Sequence, residues 1–483
     1  MDSYPLGLME YGMRKVNSIT KADILLIYPP YSSWVIEAFN EKGTRGIEFF
    51  KARTPPFGIM YLASYIRSKG YTVNLIDLSV TKLKKSQFIK ILDDIKPKII
   101  GLSVVSENYD SAIQFCKTIK EWNKDVITIL GGPHVTFMDK ETCQSEFADV
   151  VVRGEGEFTF YELVEYYLGD NLNGSIRGLG DIKGITFGLS NGEIIRTAKR
   201  PFINDLDILP FPARDLINEN DYLIRGGLIT SRGCPGACIF CAASALAGGK
   251  YRVRSIDNVI DEIEQLINIY GYDTLYIMDD TFTAIPNRVV EFCEKKKKRN
   301  LSFKWYCESR ADAGSYELFK MMAENGCNKI QFGAESGSQE VLDAIRKKIT
   351  IEQIENSVRW AHEAGIQNIM CSFIIGHHTD THESIKMTIE FAERLVLKYD
   401  IFPIFSVNTP LPGTFIYNNR EKLGIKLKRK NLYSNLMTAA NISTNFLGSD
   451  DLQRYYLLAY ERTGKISQNM ENKILARTTE NEG

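Results

Sequence analysis

Ser231-Arg-Gly-Cys234-Pro-Gly-Ala-Cys238-Ile-Phe-Cys241 gathers three of the nine cysteines of a 483-residue chain into one short loop. The spacing is Cys-x-x-x-Cys-x-x-Cys. Random placement of the cysteines would produce it only ~0.003 times per chain, so the pattern is informative. Thiolates this close together can hold three irons of a cubane cluster, because iron–sulfur clusters are bound by cysteine thiolates. Three cysteines leave one iron of the four open to another ligand. A zinc knuckle would need a fourth protein ligand, and neither His nor Cys follows before Cys293.

The neighbouring residues sharpen this reading. Phe240 precedes the third cysteine, and Tyr251-Arg252-Val-Arg254-Ser255 leads into a helical run from Ile256. The loop resembles that of the radical S-adenosylmethionine enzymes. The resemblance implies a [4Fe-4S] cluster on Cys234, Cys238 and Cys241, with Phe240 packed on the adenine of S-adenosylmethionine. It further implies one-electron cleavage of that cofactor to methionine and a 5'-deoxyadenosyl radical.

Upstream, short apolar runs at 23–28, 72–77, 99–105, 126–130 and 149–152 alternate with helical patterns near 57–69, 86–95, 109–124 and 157–168. Ile59, Leu62, Ala63 and Ile66 share one face at helical spacing. Such alternation predicts an α/β domain over 21–160 with a parallel sheet, whose ligands sit at the carboxyl ends of its strands. A polar tail over 1–20 precedes it. A connector over 161–222 follows, with a hairpin turning at Asn191-Gly192 and an extended Leu209-Pro-Phe-Pro212. From 223 to about 425 the alternation restarts, with strands expected at 227–231, 273–279, 302–308, 328–335, 367–375 and 401–407. Six strand–helix units are too few to close an eight-stranded barrel; the resemblance implies an open (β/α)6 barrel. Residues 426–483 are too few for a further domain and are expected to cap the barrel.

The strand ends of the second domain carry charge where a barrel places its site. Asp279-Asp280, Arg310 and Glu335 end the second, third and fourth strands. The resemblance puts Asp279 or Asp280 near the methionine amino group, pairs Arg310 with the carboxylate and bonds Glu335 to the ribose hydroxyls; a guanidinium fork suits a carboxylate. After the fifth strand, Gly376-His377-His378-Thr379-Asp380-Thr381-His382 departs from the Leu-Pro-Gly-Glu-Thr of many relatives and holds three of the five histidines. A second metal site is the sharper reading. The preferred one is a polar loop whose Asp380 to Ser384 starts a helix. A proton donor or substrate contact from His377 or His378 is compatible with that loop.

The first domain resembles the cobalamin-binding Rossmann-like domains. The matching residues are Ser103-Val-Val105, Gly131-Gly132-Pro133-His134, Val152-Arg-Gly154-Glu155-Gly156-Glu157, and Pro55-Pro56-Phe57-Gly58 before Tyr61-Leu-Ala63. Small residues there admit a buried nucleotide tail. Many such domains carry Asp-x-His-x-x-Gly after the first strand, with the histidine beneath cobalt. Here the loop is Tyr28-Pro-Pro-Tyr-Ser-Ser-Trp34 and no histidine occurs before residue 134, so cobalt is expected without one.

These resemblances imply a cobalamin-dependent radical S-adenosylmethionine methyltransferase acting at an unactivated carbon through methylcobalamin and a 5'-deoxyadenosyl radical. The alternative is a cyclase or ring-rearranging enzyme of the same family. A methylthiotransferase would need three further N-terminal cysteines, where only Cys116 and Cys143 occur. A cobalamin sensor would not need the cluster loop with Asp279, Arg310 and Glu335. The substrate, small molecule or peptide, is not readable, and the electron is expected from a flavodoxin or ferredoxin. A net charge of −1 gives no field for nucleic acid, and Lys295 to Arg299 read as the basic end of a helix. No apolar run approaches a membrane span, no secretory signal is seen, and the cysteine usage suits a reducing cytoplasm.

Overall fold

The computed structural model describes residues 21–31, 54–80, 83, 85–169, 178–428 and 438–480. The tail expected over 1–20 and the loop beyond Tyr31 lie outside the described residues. The chain divides into two compact units at Arg225/Gly226.

In the first unit, β1 (Ile24–Tyr28), β2 (Val73–Asp77), β3 (Ile99–Ser103), β4 (Ile127–Gly131) and β5 (Val150–Val152) form a parallel sheet in the order β2-β1-β3-β4-β5. Ile24, Leu25, Leu26 and Ile27 are fully buried, because helices cover both faces of a parallel sheet and its strands read as continuous apolar runs. The order reverses between β1 and β3. In open α/β sheets the ligand crevice lies outside the carboxyl ends of the strands at such a switch point.

The expected hairpin forms as β6 (Ile185–Gly188) and β7 (Ile194–Arg196), with Leu189 N–H bonded to Glu193 C=O at 2.7 Å. It joins β5 antiparallel and so covers an edge that would otherwise expose unpaired backbone groups. The segment after it is also built into this unit. Ala213 N–H donates to Met60 C=O at 3.2 Å, and Tyr222 OH donates to buried Asp77 at 2.6 Å.

In the second unit, β8 (Gly227–Leu228), β9 (Thr274–Ile277), β10 (Lys304–Arg310), β11 (Cys327–Glu335), β12 (Asn368–Ile375) and β13 (Phe402–Val407) are parallel and follow chain order across the sheet. Among the described residues β8 and β13 do not pair, so the six-strand barrel is open. The strand expected at 227–231 is divided. Gly227–Leu228 enter the sheet, while Ser231–Arg232 pair antiparallel with Arg252–Val253 in a ribbon flanking the cysteine loop. Phe282, Phe292 and Trp305 meet edge to face at 5.3 to 5.6 Å, contacts that add about 1 kcal/mol each to their area burial. The last helix, Ser449–Glu480, begins by burying Leu452, Tyr455 and Ala459 in this core. Tyr460 bonds both backbone groups of Phe405 on β13 at 3.0 Å.

Candidate functional site

The cysteine loop is fixed by its apolar residue. Ile239 is buried; its N–H donates to Ile345 C=O at 3.1 Å, and its C=O accepts from Ile416 N–H at 3.2 Å. Cys234, Cys238 and Cys241 surround this anchor as half-buried free thiols. Gly236 N–H reaches Cys234 Sγ at 3.4 Å, the kind of donor that tunes a bound cluster. A Cβ at Gly236 would lie 2.9 Å from Arg310 Nη1 and 3.4 Å from Cys234 Sγ, so guanidinium and thiol flank the same point. Burial raises the Cys238 thiol, with the Lys347 ammonium its leading opponent, and burial lifts Cys241 to about 11. Three half-buried thiols on one loop beside two cations fit an anionic iron–sulfur cluster.

Three strand ends, and Lys347 beyond the helix Gln339–Ala344, supply the charges around the loop. Asp279 is spent internally: it accepts from Thr230 N–H at 2.6 Å, Thr230 OH at 2.5 Å and Ser231 N–H at 3.1 Å. Of the two aspartates offered for the amino group, Asp280 is therefore the available one. It reaches solvent, yet burial and then the charge of Asp279 raise its carboxyl to about 6. The fork of Arg310 is taken by Asp312 through Nε and Nη2, both at 2.9 Å, leaving Nη1 toward the loop. Glu335 accepts from Lys347 Nζ at 2.7 Å, with both side chains at least nine-tenths buried. Sequence reasoning missed Asp312 and Lys347. Nothing in Arg346-Lys347-Lys348 distinguishes the inward lysine from its two exposed neighbours.

The histidine loop is a polar loop. Thr381 and Ser384 exchange side-chain-to-backbone bonds that start the helix His382–Tyr399, as preferred from sequence. Its imidazoles diverge: His377 packs on Phe240 with ring centroids 5.3 Å apart, and His382 Nδ1 meets Tyr455 OH at 3.0 Å. Among the described residues no three His, Cys, Asp or Glu side chains are grouped to hold a single metal ion. Burial, then His378 and Lys347, push His377 down to about 3, which holds it neutral at pH 7.

In the first unit, Tyr28 and Tyr31 meet edge to face at 6.5 Å by the switch point. Asn108, which sequence reasoning also missed, ties the strand ends there. Its Nδ2 donates to Pro29 C=O and Ser103 C=O, both at 3.3 Å, and its Oδ1 accepts from Val105 N–H at 2.8 Å. Gly132 has φ +111°, and a Cβ there would lie 2.6 Å from Val104 O. It thus serves the close approach of two backbones rather than only a cofactor groove. Pro133 begins the helix Pro133–Phe137. Its neighbour His134 shares a hydrogen bond of 2.9 Å with Ser106 and packs on Tyr109 at 4.4 Å; burial lowers it to about 4. Glu155 accepts from Ile203 N–H at 2.8 Å, and Gly156 precedes the helix Glu157–Leu168. A Cβ at Gly154 would meet open space, and one at Gly131 only ordinary contacts. Small residues with room beside them at the ends of β4 and β5 fit the approach of a large cofactor.

Residues 228–392 match the radical SAM superfamily model, and residues 47–164 match the B12 binding domain. The chain is 35% identical over 402 residues to an uncharacterized methyltransferase of Pyrococcus horikoshii, covering 82% of each chain. It belongs to the cobalamin-dependent radical S-adenosylmethionine enzymes. Its cofactors are accordingly a [4Fe-4S] cluster, S-adenosylmethionine and cobalamin. It is also 30% identical over 350 residues to the anaerobic magnesium-protoporphyrin IX monomethyl ester cyclase of Cereibacter sphaeroides, covering 70% of this chain but only 56% of that one. The radical S-adenosylmethionine methyltransferase TsrM from Kitasatospora setae shares the fold at TM-score 0.68 and 15% identity, covering 92% of this chain and 89% of that one. No helix among the described residues is long and apolar enough to cross a membrane.

Proposed function

We propose that this chain methylates an unactivated carbon of a small-molecule or peptide substrate. The observation that carries the reading is the thiol triad ringed by Asp280, Arg310, Glu335 and Lys347, in a chain whose relatives include methyltransferases. When bound, the reduced cluster supplies the electron that splits S-adenosylmethionine, and cobalamin supplies the methyl group. The protein's part is to sort charge. Asp280, ionised above about pH 6, takes the cofactor's ammonium. Arg310, oriented by Asp312, turns Nη1 to its carboxylate, Glu335 accepts from its ribose hydroxyls, and Phe240 packs on its purine. Ser103, Val105, Gly131, Gly132, Pro133, His134, Gly154, Glu155 and Gly156 frame the cobalamin cradle. Of these, His134 and Glu155 act through the strand-end loops they brace. Cobalamin would be held without a histidine from the loop after β1, the electron would come from a flavodoxin or ferredoxin, and the chain would work in a reducing cytoplasm.

A cyclase is the second reading, favoured by the 30% identity to the Cereibacter enzyme. Anaerobic turnover of candidate substrates with methyl-labelled S-adenosylmethionine separates the two. Methylation places label in the product and releases S-adenosylhomocysteine and 5'-deoxyadenosine in about equal amounts when coupled. A cyclised product, accumulating 5'-deoxyadenosine and no label, would establish the cyclase instead.

A further inference from the structure

We propose that the buried Lys347–Glu335 ion pair is a counter-ion switch for the cluster: Lys347 favours the arriving electron, and Glu335 sets how much of that positive charge the cluster feels. The proposal rests on the cluster reading of the cysteine loop.

The pair is built at some cost. Glu335, Arg346 and Lys348 all adopt left-handed backbone, at φ +65°, +57° and +57°. For residues with a Cβ this conformation costs about 1 kcal/mol or more each. The two left-handed residues flank Lys347 and turn it inward while its neighbours stay exposed. A Cβ at Gly333 would fall 2.6 Å from Glu335 Oε1 and 2.8 Å from Lys347 Nζ, so the strand gives up a side chain to make room. Fold stability does not explain the arrangement, because replacing a buried ion pair by apolar residues of similar volume is often neutral or stabilising.

The position of the pair suggests its use. Lys347 lies two residues beyond Ile345, whose C=O holds the cysteine loop through Ile239 N–H at 3.1 Å. Its own C=O accepts from Arg310 Nη2 at 2.9 Å. Arg310, tied to Lys347 through that carbonyl, reaches the cysteine loop itself, with Nη1 2.9 Å and Cys234 Sγ 3.4 Å from where a Cβ on Gly236 would stand. Reduction adds one negative charge to the cluster, and cluster potentials follow local charge and hydrogen bonding. With the pair intact the two charges oppose one another at 2.7 Å. Where Glu335 also accepts from the hydroxyls of S-adenosylmethionine, its contact with Lys347 is loosened and more of the lysine charge is turned to the electron, so cofactor arrival and reduction become linked.

The test is a spin-resonance redox titration, with dithionite as reductant and no S-adenosylmethionine, on anaerobically reconstituted wild type, Lys347→Met, Lys347→Arg, Glu335→Gln and the Lys347→Met/Glu335→Gln double variant. At fixed ambient potential the reduced-to-oxidised ratio should fall about tenfold in Lys347→Met, where an anion is left alone. It should rise about tenfold in Glu335→Gln, where a cation is left alone. A tenfold ratio is about 59 mV for a one-electron couple. Lys347→Arg and the double variant should stay near wild type. A merely structural pair would move both single variants the same way or neither, and either result overturns the switch. Should Lys347→Met fail to hold iron, the difference between Glu335→Gln and the double variant reports the lysine charge alone, and its absence is equally fatal. A wild type without about four irons and a cluster signal would remove the cluster reading itself.

Discussion

The cysteine-loop site of the second unit and the switch-point crevice of the first handle buried polarity in opposite ways. The former keeps its charges and pairs them: Arg310 with Asp312, Lys347 with Glu335. The latter crowds its ionisable groups toward neutrality. Burial raises Tyr28, Glu107 and Asp77 and lowers His134 to about 4. A zwitterionic ligand and an anionic cluster need fixed charges of both signs, because pre-placed dipoles and ions cost no reorganisation when the ligand arrives. A large, weakly charged macrocycle needs shape, small residues and hydrogen bonds instead.

The comparison breaks most visibly if the cluster is removed. The triple variant Cys234→Ala/Cys238→Ala/Cys241→Ala should lose essentially all of the about four irons expected of a cubane cluster while still retaining cobalamin. Cys116→Ala should keep the iron, since Cys116 is fully buried in the first unit's core with its thiol pushed far up by burial. Iron and sulfide analysis beside the cobalamin absorbance decides it. Full iron in the triple variant would be incompatible with the site.

The next effect lies in the first unit. Gly132→Ala would combine left-handed strain with a backbone contact of 2.6 Å and should cost about 3 kcal/mol. Gly131→Ala would place its Cβ 3.7 Å from Val152 Cβ and should cost under about 0.5 kcal/mol. Denaturant unfolding of the two variants checks the order. Equal stabilities would return Gly132 to a purely cofactor-facing role.

These residues also mark what the sequence made legible. The cysteine spacing, the alternating strands and Gly131-Gly132 are local patterns, and local patterns survive in one dimension. Asp312 against Arg310 was within reach, being two residues away on the chain. Lys347 was not, because only the left-handed backbone of Arg346 and Lys348 on either side turns it inward while they stay exposed. The division of labour between Asp279 and Asp280 was hidden for the same reason. It depends on the backbone of Thr230 and Ser231, some fifty positions upstream, reaching one carboxylate and not the other.

A smaller effect separates the two regions by pH. With a carboxyl near 6, Asp280 is charged above that pH and neutral below it. Affinity for S-adenosylmethionine should therefore be flat from pH 7 to 8 and weaken up to about tenfold per unit below 6, as the attraction to the ammonium is lost. Asp280→Asn should bind weakly and without this slope, whereas cobalamin retention should not follow it. Equilibrium binding between pH 5.5 and 8 measures both. An unchanged slope in Asp280→Asn would move the ammonium contact elsewhere.

The smallest expected change sharpens an exception to the charge sorting in the second unit. His377 is neutral and fully enclosed beside Phe240, and among the described residues its Nε2 has no hydrogen-bond partner. Asp380 prevents the loop from relaxing, since one of its oxygens accepts from both Gly376 N–H and His377 N–H at 2.9 Å. An unsatisfied buried nitrogen carries a desolvation penalty of about 1–3 kcal/mol, and removing it with a ring of similar shape is neutral or stabilising. Without S-adenosylmethionine, His377→Phe should therefore unfold at equal or higher denaturant, by about 1 kcal/mol, while His377→Leu should lose part of that gain to a poorer fit against Phe240. A His377→Phe variant clearly less stable than wild type would mean that the imidazole is held by its ring packing rather than tolerated, and the second unit would then keep a neutral polar group for its own architecture just as the first does.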